Sequence, residues 1–377
     1  MNILIDSAMI DGHRLFSPFG SVKSKEGRMI NADDLKDIDA LFIRSVTKVD
    51  AALLEKASQL KFIGTATAGF DHVDTDELKK RNIAFVSAPG SNKESVGDYI
   101  LSVLLTFARR YCLDLSSMRI GIVGCGNTGS QVIKKARALG LNLCLCDTPR
   151  ADNGQSEYSA SLDEILSCDI VTLHVPLIKD GPYKTAHLID AAALSKLKDG
   201  AFLINASRGG VVDNRALLQC FKEGRDVHVW LDVFEGEPEI DVKELLPYLD
   251  GASAHIAGYS YESKRRATFM LQQSFLKFLG MECNGVFEPN KGEIVKMVID
   301  KDAIFDLNLI SRLVFAIYDV SYDSFLFKHS FNGKKSFDLM RKNYRERHEL
   351  GFVTIAGEGA LAHKELLEGL GFKVSEH

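Results

Sequence analysis

One stretch of the chain constrains its fold more than any other. Residues 119–129 read Arg-Ile-Gly-Ile-Val-Gly-Cys-Gly-Asn-Thr-Gly, an apolar run that ends in Gly-x-Gly-x-x-Gly. A second apolar run, residues 142–146, ends in Asp147. This succession of strand, glycine-rich turn, helix, strand and acid is typical of a domain that binds a dinucleotide at the edge of a parallel sheet.

The residues of this turn have separate physical roles. Gly124 permits a sharp turn, Gly126 lets the backbone approach a pyrophosphate, and Gly129 lets the helix pack tightly on the strand. Asn127 and Thr128 begin the helix, whose positive end would face the pyrophosphate. These five residues are therefore predicted to bind a dinucleotide.

Asp147 predicts which dinucleotide binds. A carboxylate at the end of the second strand accepts hydrogen bonds from a ribose diol and repels a 2′-phosphate. Arg150, three residues further on, could receive a 2′-phosphate, but we interpret it as a surface arginine. The sequence thus predicts NAD, rather than NADP, as the cofactor.

The length and composition of the chain exclude several classes of protein. With 377 residues the chain is too long for one compact core, so two or three domains are expected. Its net charge of −5 and the lack of a basic tract argue against nucleic acid as a partner. The longest apolar run, Tyr99–Ala108, is too short to cross a membrane, and no signal peptide opens the chain. Seven cysteines without metal-ligand spacing predict free thiols and no metal site, which favours the reducing cytoplasm.

Aliphatic and β-branched runs alternate with helical patterns along most of the chain, which predicts parallel sheets. The predicted strands fall into two groups, residues 2–5, 40–44, 61–65 and 83–87, and then residues 119–123, 142–146, 169–174, 201–205, 227–231 and 252–256. We therefore predict an α/β fold with two doubly wound, Rossmann-like parallel-sheet domains. Ligands would bind in a cleft between them, at the carboxyl ends of strands.

Two long helices mark the predicted domain boundaries. A buried helix over residues 95–111 follows a cluster of turn residues at 88–92. A second helix, over residues 261–279, is expected to cross back to the first domain. The predicted domains are a substrate-binding domain (residues 1–92 and 259–285), a cofactor domain (residues 93–258) and a smaller C-terminal α/β dimerisation domain (residues 286–377).

The C-terminal segment, residues 286–377, is predicted to be a folded module. It holds nine of the 22 phenylalanines, whereas a disordered tail would be poor in aromatic residues. Its pattern indicates a strand at 293–298, two helices, a strand at 352–356, a helix and a last strand at 371–375. The apolar helix over residues 307–320 would present a stripe to a partner, so we expect a homodimer.

Three polar residues each follow an apolar strand of the cofactor domain. The guanidinium fork of Arg208 suits bidentate capture of a substrate carboxylate. Glu237 follows the next strand, and His255 lies at the end of the one after it. A histidine polarised by a carboxylate is the usual proton acceptor from a hydroxyl group that loses hydride. We therefore predict that Arg208, Glu237 and His255 form a catalytic set.

On these residues the sequence resembles the D-2-hydroxyacid dehydrogenase family across residues 1–285. That family has the same two-domain plan, and its catalytic arginine, glutamate and histidine match the three residues above in order and context. The resemblance implies that Asp232 faces the nicotinamide carboxamide and that Thr67 belongs to the substrate loop. It also places further residues around the cofactor, namely Val175, Ala206, Ser207, Arg208 and Gly258.

Longer strings narrow the resemblance to one branch of that family, which oxidises a phosphorylated four-carbon 2-hydroxy acid in pyridoxal phosphate synthesis. The strings are residues 44–49, 64–69, 177–185, 254–259 and 341–347. The branch also has a C-terminal dimerisation domain. The resemblance implies a substrate site that contains Arg44, Ser45, Thr67 and Tyr259. Arg44 is the predicted ligand of the phosphate, with Arg345 or Arg347 as the next candidates.

Two alternatives remain open beside an NAD-dependent 2-hydroxyacid dehydrogenase of this branch. Another member of the family, such as one that acts on 3-phosphoglycerate, often has a regulatory βαββαβ module, which the pattern of the C-terminal segment disfavours. A non-catalytic NAD-sensing scaffold on the same fold would carry a long low-complexity tail, and the sequence has none.

Overall fold

The computed structural model describes residues 1–288 and 295–376, so the predicted strand start at residues 293 and 294 lies outside the described residues. The chain forms two compact units, which we call unit 1 (Met1–Asn92 with Ser260–Gly292) and unit 2 (Lys93–Tyr259 with Glu293–His377). Each unit has its own sheet and its own buried apolar core.

The secondary structure alternates between strands and helices through most of the chain. The strands, in chain order, are β1 (Asn2–Asp6), β2 (Ser21–Lys25), β3 (Ala40–Ile43), β4 (Phe62–Thr65), β5 (Ala84–Val86), β6 (Arg119–Val123), β7 (Asn142–Cys146), β8 (Ile170–Leu173), β9 (Ala201–Asn205), β10 (Val227–Leu231), β11 (Gly251–Ala252), β12 (Val295–Val298), β13 (Val353–Ala356) and β14 (Lys373–Ser375).

The α-helices, in chain order, are α1 (Gly12–Phe16), α2 (Thr75–Lys80), α3 (Lys93–Tyr111), α4 (Asn127–Ala138), α5 (Thr148–Asp152), α6 (Leu162–Leu166), α7 (Ala191–Lys196), α8 (Asn214–Lys222), α9 (Tyr261–Phe278), α10 (Leu307–Ile317), α11 (Val320–Ser330), α12 (Lys334–Lys342), α13 (Glu358–Ala362) and α14 (Lys364–Leu370). Short 3₁₀ helices lie at Ser17–Phe19, Gly27–Met29, Ala32–Leu35, Leu53–Lys56, Leu115–Ser117, Ser156–Tyr158, Gly209–Val211, Leu246–Tyr248 and Leu350–Phe352. Within the described ranges, no helix combines the length and the apolar character needed to cross a membrane.

Unit 1 is built on a five-stranded parallel sheet in the order β2-β1-β3-β4-β5. Alternate residues of a strand point to opposite faces, so Leu4 and Leu41 join one buried cluster whereas Ile5 and Phe42 join another. The strand order reverses between β1 and β3, which is where such sheets bind ligands. Strand β2 was not predicted, because four of its five residues, Ser-Val-Lys-Ser-Lys, are polar, and all five are exposed or half-buried at the sheet edge.

Unit 2 contains a six-stranded parallel sheet in the order β11-β10-β9-β8-β6-β7. Strands β8 and β9 are buried at every position, as expected of a parallel sheet covered on both faces. The strand order reverses between β6 and β8, and the glycine-rich turn that follows β6 therefore lies at this reversal. The predicted parallel α/β architecture is confirmed.

A buried ion pair joins the two helices at the centre of unit 2. Asp98 of α3 lies 2.7 Å from Lys135 of α4, and both side chains are 3% exposed. Burial of two charges is costly unless their remaining hydrogen bonds are made. Here Asp98 also accepts from the backbone N–H of Leu350 at 2.9 Å, and Lys135 donates to the carbonyl of Leu370. The pair thus binds the C-terminal segment to α3 and α4.

The C-terminal segment adds a three-stranded parallel sheet in the order β12-β13-β14. Among the described residues three helices, α10 to α12, follow β12 where two were predicted, and two helices, α13 and α14, follow β13 where one was predicted. The predicted helix over 307–320 is broken at Tyr318, which is extended. The buried hydroxyl of Ser102 stabilises the break, because it donates to the Tyr318 carbonyl at 3.1 Å and accepts from Val320 N–H at 3.0 Å.

The apolar stripe of α10 is covered within unit 2. Ile310, Leu313 and Val314 are buried in the main apolar cluster of this unit, together with residues of α3 and β6. The prediction that this stripe is available to a partner is therefore wrong, because a single-sequence pattern cannot distinguish a stripe covered by the same chain from one covered by another.

Helix α11 covers β11, the edge strand of the six-stranded sheet. The hydroxyl of Ser324 accepts from the backbone N–H of Ala252 at 3.1 Å, and Lys328 donates to the carbonyl of Leu249 at 2.6 Å. An uncovered edge strand presents unpaired backbone groups to other chains. The C-terminal segment therefore covers this edge of the six-stranded sheet.

Arg347 connects the C-terminal segment to the segment that contains His255. Its buried guanidinium lies 3.9 Å above the ring of Tyr318, and Nη2 donates to the carbonyls of Ser95 at 2.7 Å and Ala257 at 2.8 Å. Burial lowers the pKa of Arg347, whereas the nearby tyrosines and acids raise it, and the net direction is upward. The guanidinium therefore remains charged in the core.

Replacement of Arg347 by methionine tests this connection. The substitution leaves two buried carbonyls without their donor, so we expect the free energy of unfolding to fall by about 2–4 kcal/mol. Urea denaturation of the full-length protein measures this loss in the free energy of unfolding. The matched control is Arg345→Met, since Arg345 is 37% exposed and lies 3.4 Å from Asp323. The control should lose less, and equal losses in the two variants would contradict the assigned role.

Candidate active site

The glycine-rich turn after β6 makes a tight passage from strand to helix. Gly124 has φ of +85°, which side chains rarely adopt. A Cβ at Gly129 would lie 1.9 Å from the carbonyl oxygen of Gly124, so only glycine lets α4 begin this close to the strand. A Cβ at Gly126 would meet nothing within 4 Å, which leaves open space above the turn. With Asn127 and Thr128 in the first turn of α4, this geometry fits a pyrophosphate.

Asp147 is held against the glycine-rich turn. One carboxylate oxygen accepts from the backbone N–H of Cys125 at 2.8 Å, and the other accepts from Arg150 N–H at 3.2 Å as the cap of α5. The Arg150 side chain lies 3.9 Å from the carboxylate and over the ring of Tyr158. Asp147 is therefore fixed at the end of β7, where an acid can receive a ribose diol.

Val175 follows β8 and adjoins the same turn. A Cβ at Gly124 would lie 2.8 Å from the Val175 side chain and 2.7 Å from the carbonyl oxygen of His174. Burial lowers the pKa of His174 to about 3, so this neighbour is neutral. The residues after β6, β7 and β8 thus meet at the point where the strand order reverses, and this set of residues fits NAD.

The segment that carries Arg208 is shaped by the last residue of β9. The side-chain oxygen of Asn205 accepts from the N–H and the hydroxyl of Ser207, at 3.0 and 2.8 Å. Its amide group donates to the Arg208 carbonyl at 3.0 Å. A Cβ at Gly209 would lie 1.9 Å from the carbonyl oxygen of Phe234, so this segment, which also contains Ala206, packs directly on the loop after β10.

Asp232, which follows β10, holds the segment that contains His255. Its fully buried carboxylate accepts from the Ser253 hydroxyl at 2.6 Å and from the backbone N–H groups of Ile256 and Ala257 at 2.8 and 2.9 Å. Burial raises the pKa of Asp232, although His255 and the three donors oppose this effect. Sequence reasoning assigned Asp232 to the cofactor and did not detect this structural role.

His255 and Glu237 form the central pair of the site. Nδ1 of His255 lies 2.6 Å from Oε2 of Glu237, while Oε1 accepts from the backbone N–H of Phe234 at 2.8 Å. Burial raises the pKa of Glu237, but His255 and the Phe234 N–H lower it, and the net direction is downward. Glu237 is therefore an acceptor, so Nδ1 carries the hydrogen of the pair and Nε2 is the nitrogen that can accept a proton. The His255 side chain is 32% exposed, as a proton acceptor for a ligand must be.

The segment continues through Gly258 to Tyr259, where the structure adds a residue that sequence reasoning had not selected. Nη2 of Arg341 donates to the Tyr259 hydroxyl at 2.9 Å. Arg341 comes from α12 and is half-buried. The one signal for it in the sequence was its position in the string 341–347, from which Arg345 and Arg347 had been chosen instead.

The other predicted substrate residues belong to unit 1. Arg44 follows β3 and its Nε lies 3.0 Å from the buried carboxylate of Asp6 at the end of β1. Both residues, with Ser45, therefore lie where the strand order of unit 1 reverses. The hydroxyl of Thr67 donates to the carbonyl of Gly69 at 2.7 Å and lies 2.8 Å from the hydroxyl of Thr65.

One group of the described residues has the spacing of metal ligands, namely His187, Asp213 and Glu235. Its members already bind one another and the backbone. His187 Nε2 lies 2.5 Å from Glu235, while Asp213 accepts from Ala216 N–H at 2.8 Å as the cap of α8. Ion pairing and helix capping account for the group, and the lack of a metal site stays a prediction.

The chain is similar to known protein families and to proteins of known name. Residues 105–253 match the family described as D-isomer specific 2-hydroxyacid dehydrogenase, NAD binding domain. Residues 291–371 match a family described as a domain of unknown function. The chain is 41% identical to the erythronate-4-phosphate dehydrogenase of Tolumonas auensis, and the match covers 100% of both chains. It is 44% identical to the protein of the same name from Escherichia coli (strain K12), over 100% of this chain and 99% of that one.

Solved structures share the fold over about three-quarters of the chain. A D-lactate dehydrogenase from Aquifex aeolicus, complexed with NAD and lactic acid, aligns with a TM-score of 0.62 at 25% identity, over 74% of this chain and 96% of that one. A 3-phosphoglycerate dehydrogenase of Entamoeba histolytica with bound NAD⁺ aligns with a TM-score of 0.65 at 21% identity, over 78% of this chain and 99% of that one. The latter likeness shows the fold alone.

The pairing of His255 with Glu237 predicts how activity depends on pH. Glu237→Gln removes the negative charge that favours the imidazolium form of His255 over the neutral form. Oxidation of a 2-hydroxy acid needs the neutral imidazole, and its acid limb should move to lower pH. Reduction of the 2-oxo acid needs the imidazolium, and its activity should fail at a lower pH than in the wild type. Profiles of kcat/KM in both directions measure the shift, and two unchanged profiles would disprove the pairing.

Proposed function

The chain belongs to the erythronate-4-phosphate dehydrogenase family, and from that membership we propose that it oxidises 4-phospho-D-erythronate to 2-oxo-3-hydroxy-4-phosphobutanoate with NAD⁺. The observation that carries the proposal is the His255–Glu237 pair at 2.6 Å, in a chain that matches those relatives over its whole length. We place this reaction in pyridoxal phosphate synthesis in the cytoplasm.

In this proposal three residues of unit 2 have separate roles in the reaction. Arg208 holds the substrate carboxylate with its guanidinium fork. Nε2 of His255 takes the proton of the hydroxyl group on the carbon that is oxidised, and Glu237 stabilises the imidazolium that results. NAD⁺, when bound, supplies the acceptor for the hydride that leaves the same carbon.

The cofactor residues are assigned on local geometry. The N–H groups of the glycine-rich turn receive the pyrophosphate, and Asp147 receives the ribose diol, as their positions after β6 and β7 suggest. Val175, Ala206, Ser207 and Gly258 line the nicotinamide half. Asp232 faces the carboxamide in this assignment while it also holds the backbone of residues 256 and 257.

We assign residues 1–92 with 259–285 to substrate binding, 93–258 to the cofactor and 286–377 to dimerisation. Arg44, Ser45, Thr67 and Tyr259 bind the substrate in this proposal. Support for Arg44 comes from its position at the reversal of strand order in unit 1, where sheets of this kind bind ligands and where the carboxylate of Asp6 holds its Nε at 3.0 Å.

The test of the proposed function is turnover of NAD⁺ with a panel of 2-hydroxy acids. We expect kcat/KM to be highest for 4-phospho-D-erythronate, with 3-phosphoglycerate and D-lactate much poorer. Preference for 3-phosphoglycerate would favour the alternative dehydrogenase. NAD binding without turnover of any acid in the panel would favour the sensing scaffold.

Arg44→Ala should raise the KM for 4-phospho-D-erythronate about 10- to 100-fold and leave the KM for unphosphorylated D-erythronate nearly unchanged, because only the former loses a charge-assisted bond. Lys48→Ala is a control, since Lys48 lies in the same string and its side chain is 79% exposed. If Arg44→Ala affects both substrates equally, its role is to pair with Asp6 rather than to bind phosphate.

We propose a homodimer formed through the C-terminal segment. With the stripe of α10 covered, support comes instead from α11, where Tyr322, Phe325 and Leu326 are 53%, 56% and 39% exposed at helical spacing. A two-fold symmetric contact between identical chains, the commonest arrangement among oligomers, would cover this apolar face.

Light scattering on point variants tests the dimer. Phe325→Glu should give a folded monomer, while the control Leu361→Glu on α13, where Leu361 is 39% exposed, should remain a dimer. Truncation is a poorer test, because Leu370 and Phe372 are buried in the core of unit 2. A wild-type monomer, or a dimeric Phe325→Glu variant, would place the interface elsewhere or remove it.

A further inference from the structure

Arg341 lies in the last turn of α12, beside two residues of the candidate site. Its guanidinium carbon is 5.7 Å from the centroid of the Tyr259 ring, and Nη2 donates to the Tyr259 hydroxyl at 2.9 Å. Arg341 also interacts electrostatically with Glu237, the partner of His255. A cation of the C-terminal segment therefore adjoins the pair that accepts the substrate proton.

The charge and the hydrogen-bonding capacity of Arg341 are incompletely used. In residues 1–288 and 295–376 its buried Nε–H has no hydrogen-bond acceptor. Nitrogens of Arg345 and Arg347 also lack a hydrogen bond, but Arg345 lies 3.4 Å from the carboxylate of Asp323, and Arg347 is fully buried. The guanidinium of Arg341 lies near the rings of Tyr259 and Phe337, at 5.7 and 5.9 Å from their centroids. Burial lowers the pKa of Arg341, while Tyr259 and Glu237 raise it more, so the group stays cationic.

The chemistry of the guanidinium group indicates which kind of ligand would accept hydrogen bonds from the remaining donors of Arg341. The N–H groups of the guanidinium lie in one plane and match the oxygens of a phosphate. Since Nε is covered by the protein, the donors for a phosphate are Nη1 and the second hydrogen of Nη2, whose other hydrogen bonds Tyr259. In a four-carbon substrate the phosphate is attached two carbons from the one that is oxidised. Its ligand must therefore lie close to the segment of His255, and Tyr259 is four residues further along that segment.

We propose that Arg341 binds the phosphate of the substrate and thereby determines the preference for a phosphorylated 2-hydroxy acid. This inference rests on the proposed function. It gives the C-terminal segment a direct part in the reaction, in addition to any part in assembly. Arg341 is then the specificity residue that the C-terminal segment supplies to the candidate site.

The experiment measures kcat/KM for 4-phospho-D-erythronate and for D-erythronate in the wild type, Arg341→Met, Arg341→Lys and the control Lys342→Met. We expect Arg341→Met to lower the ratio of the two values about 10- to 100-fold, mainly through the KM for the phosphorylated substrate. Arg341→Lys keeps the charge but loses the planar fork of donors. Its ratio should therefore lie between the ratio of the wild type and that of Arg341→Met. Lys342→Met changes an exposed neighbour on the same helix and should leave the ratio unchanged.

Inorganic phosphate provides a second readout, as an inhibitor of D-erythronate oxidation. Its inhibition constant should rise in Arg341→Met by about the same factor as the KM. Thermal unfolding of each variant checks the fold, and Arg341→Lys decides the matter if Arg341→Met does not fold.

The outcomes separate this inference from the proposed function. If the wild type does not oxidise 4-phospho-D-erythronate, the proposed function and this inference both fail. If the wild type does so and Arg341→Met loses activity equally on both substrates, Arg341 only positions Tyr259 or Glu237, and this inference alone is overturned. An unchanged ratio in Arg341→Met and in Arg341→Lys overturns it as well.

Discussion

The conformation of the segment that carries His255 depends on one buried carboxylate. Asp232 accepts from Ser253 and from two consecutive backbone N–H groups, which compensates for the removal of the carboxylate from water. The network extends inward, since Ser253 lies 2.6 Å from the hydroxyl of Tyr99, to which Trp230 donates. His255 has φ of 55°, a region that costs energy for residues other than glycine, and this network holds it there. The direction of the His255 imidazole is thus decided in the core.

The C-terminal segment acts on the same residues from the other side. Arg347 donates to the carbonyl of Ala257, and Arg341 donates to the hydroxyl of Tyr259, so both contact the segment that Asp232 holds. Structures such as the D-lactate dehydrogenase are matched over 96% of their length by 74% of this chain. The fold they share therefore does not require every part of this chain. Here the C-terminal segment is packed into unit 2 and adjoins the site.

The features that could be predicted from the sequence are mainly those that depend on residues close together in the chain. The glycine-rich turn and Asp147 could be identified because their geometry is encoded within a few positions of the chain, and the parallel α/β architecture follows from alternating patterns. Arg341 could not be found in this way, because Tyr259 lies 82 positions earlier and no local pattern links them. The break at Tyr318 depends on a hydroxyl of Ser102, 216 positions away. Strand β2 was missed because its polar residues lie at an exposed sheet edge.

The buried ion pair of Asp98 and Lys135 has a consequence for the order of folding during synthesis. The apolar cluster of unit 2 begins at Val96 and ends at Phe372, and Lys135 donates to the carbonyl of Leu370. Domains usually fold as units while the chain emerges from the ribosome. Here the cluster is incomplete until Leu370 and Phe372 have been synthesised. Unit 1 has its five strands and helix α9 at an earlier stage of synthesis, so it can fold first. Until Leu370 has been synthesised, Lys135 lacks one of its two acceptors, and its charge lies next to an unfinished core.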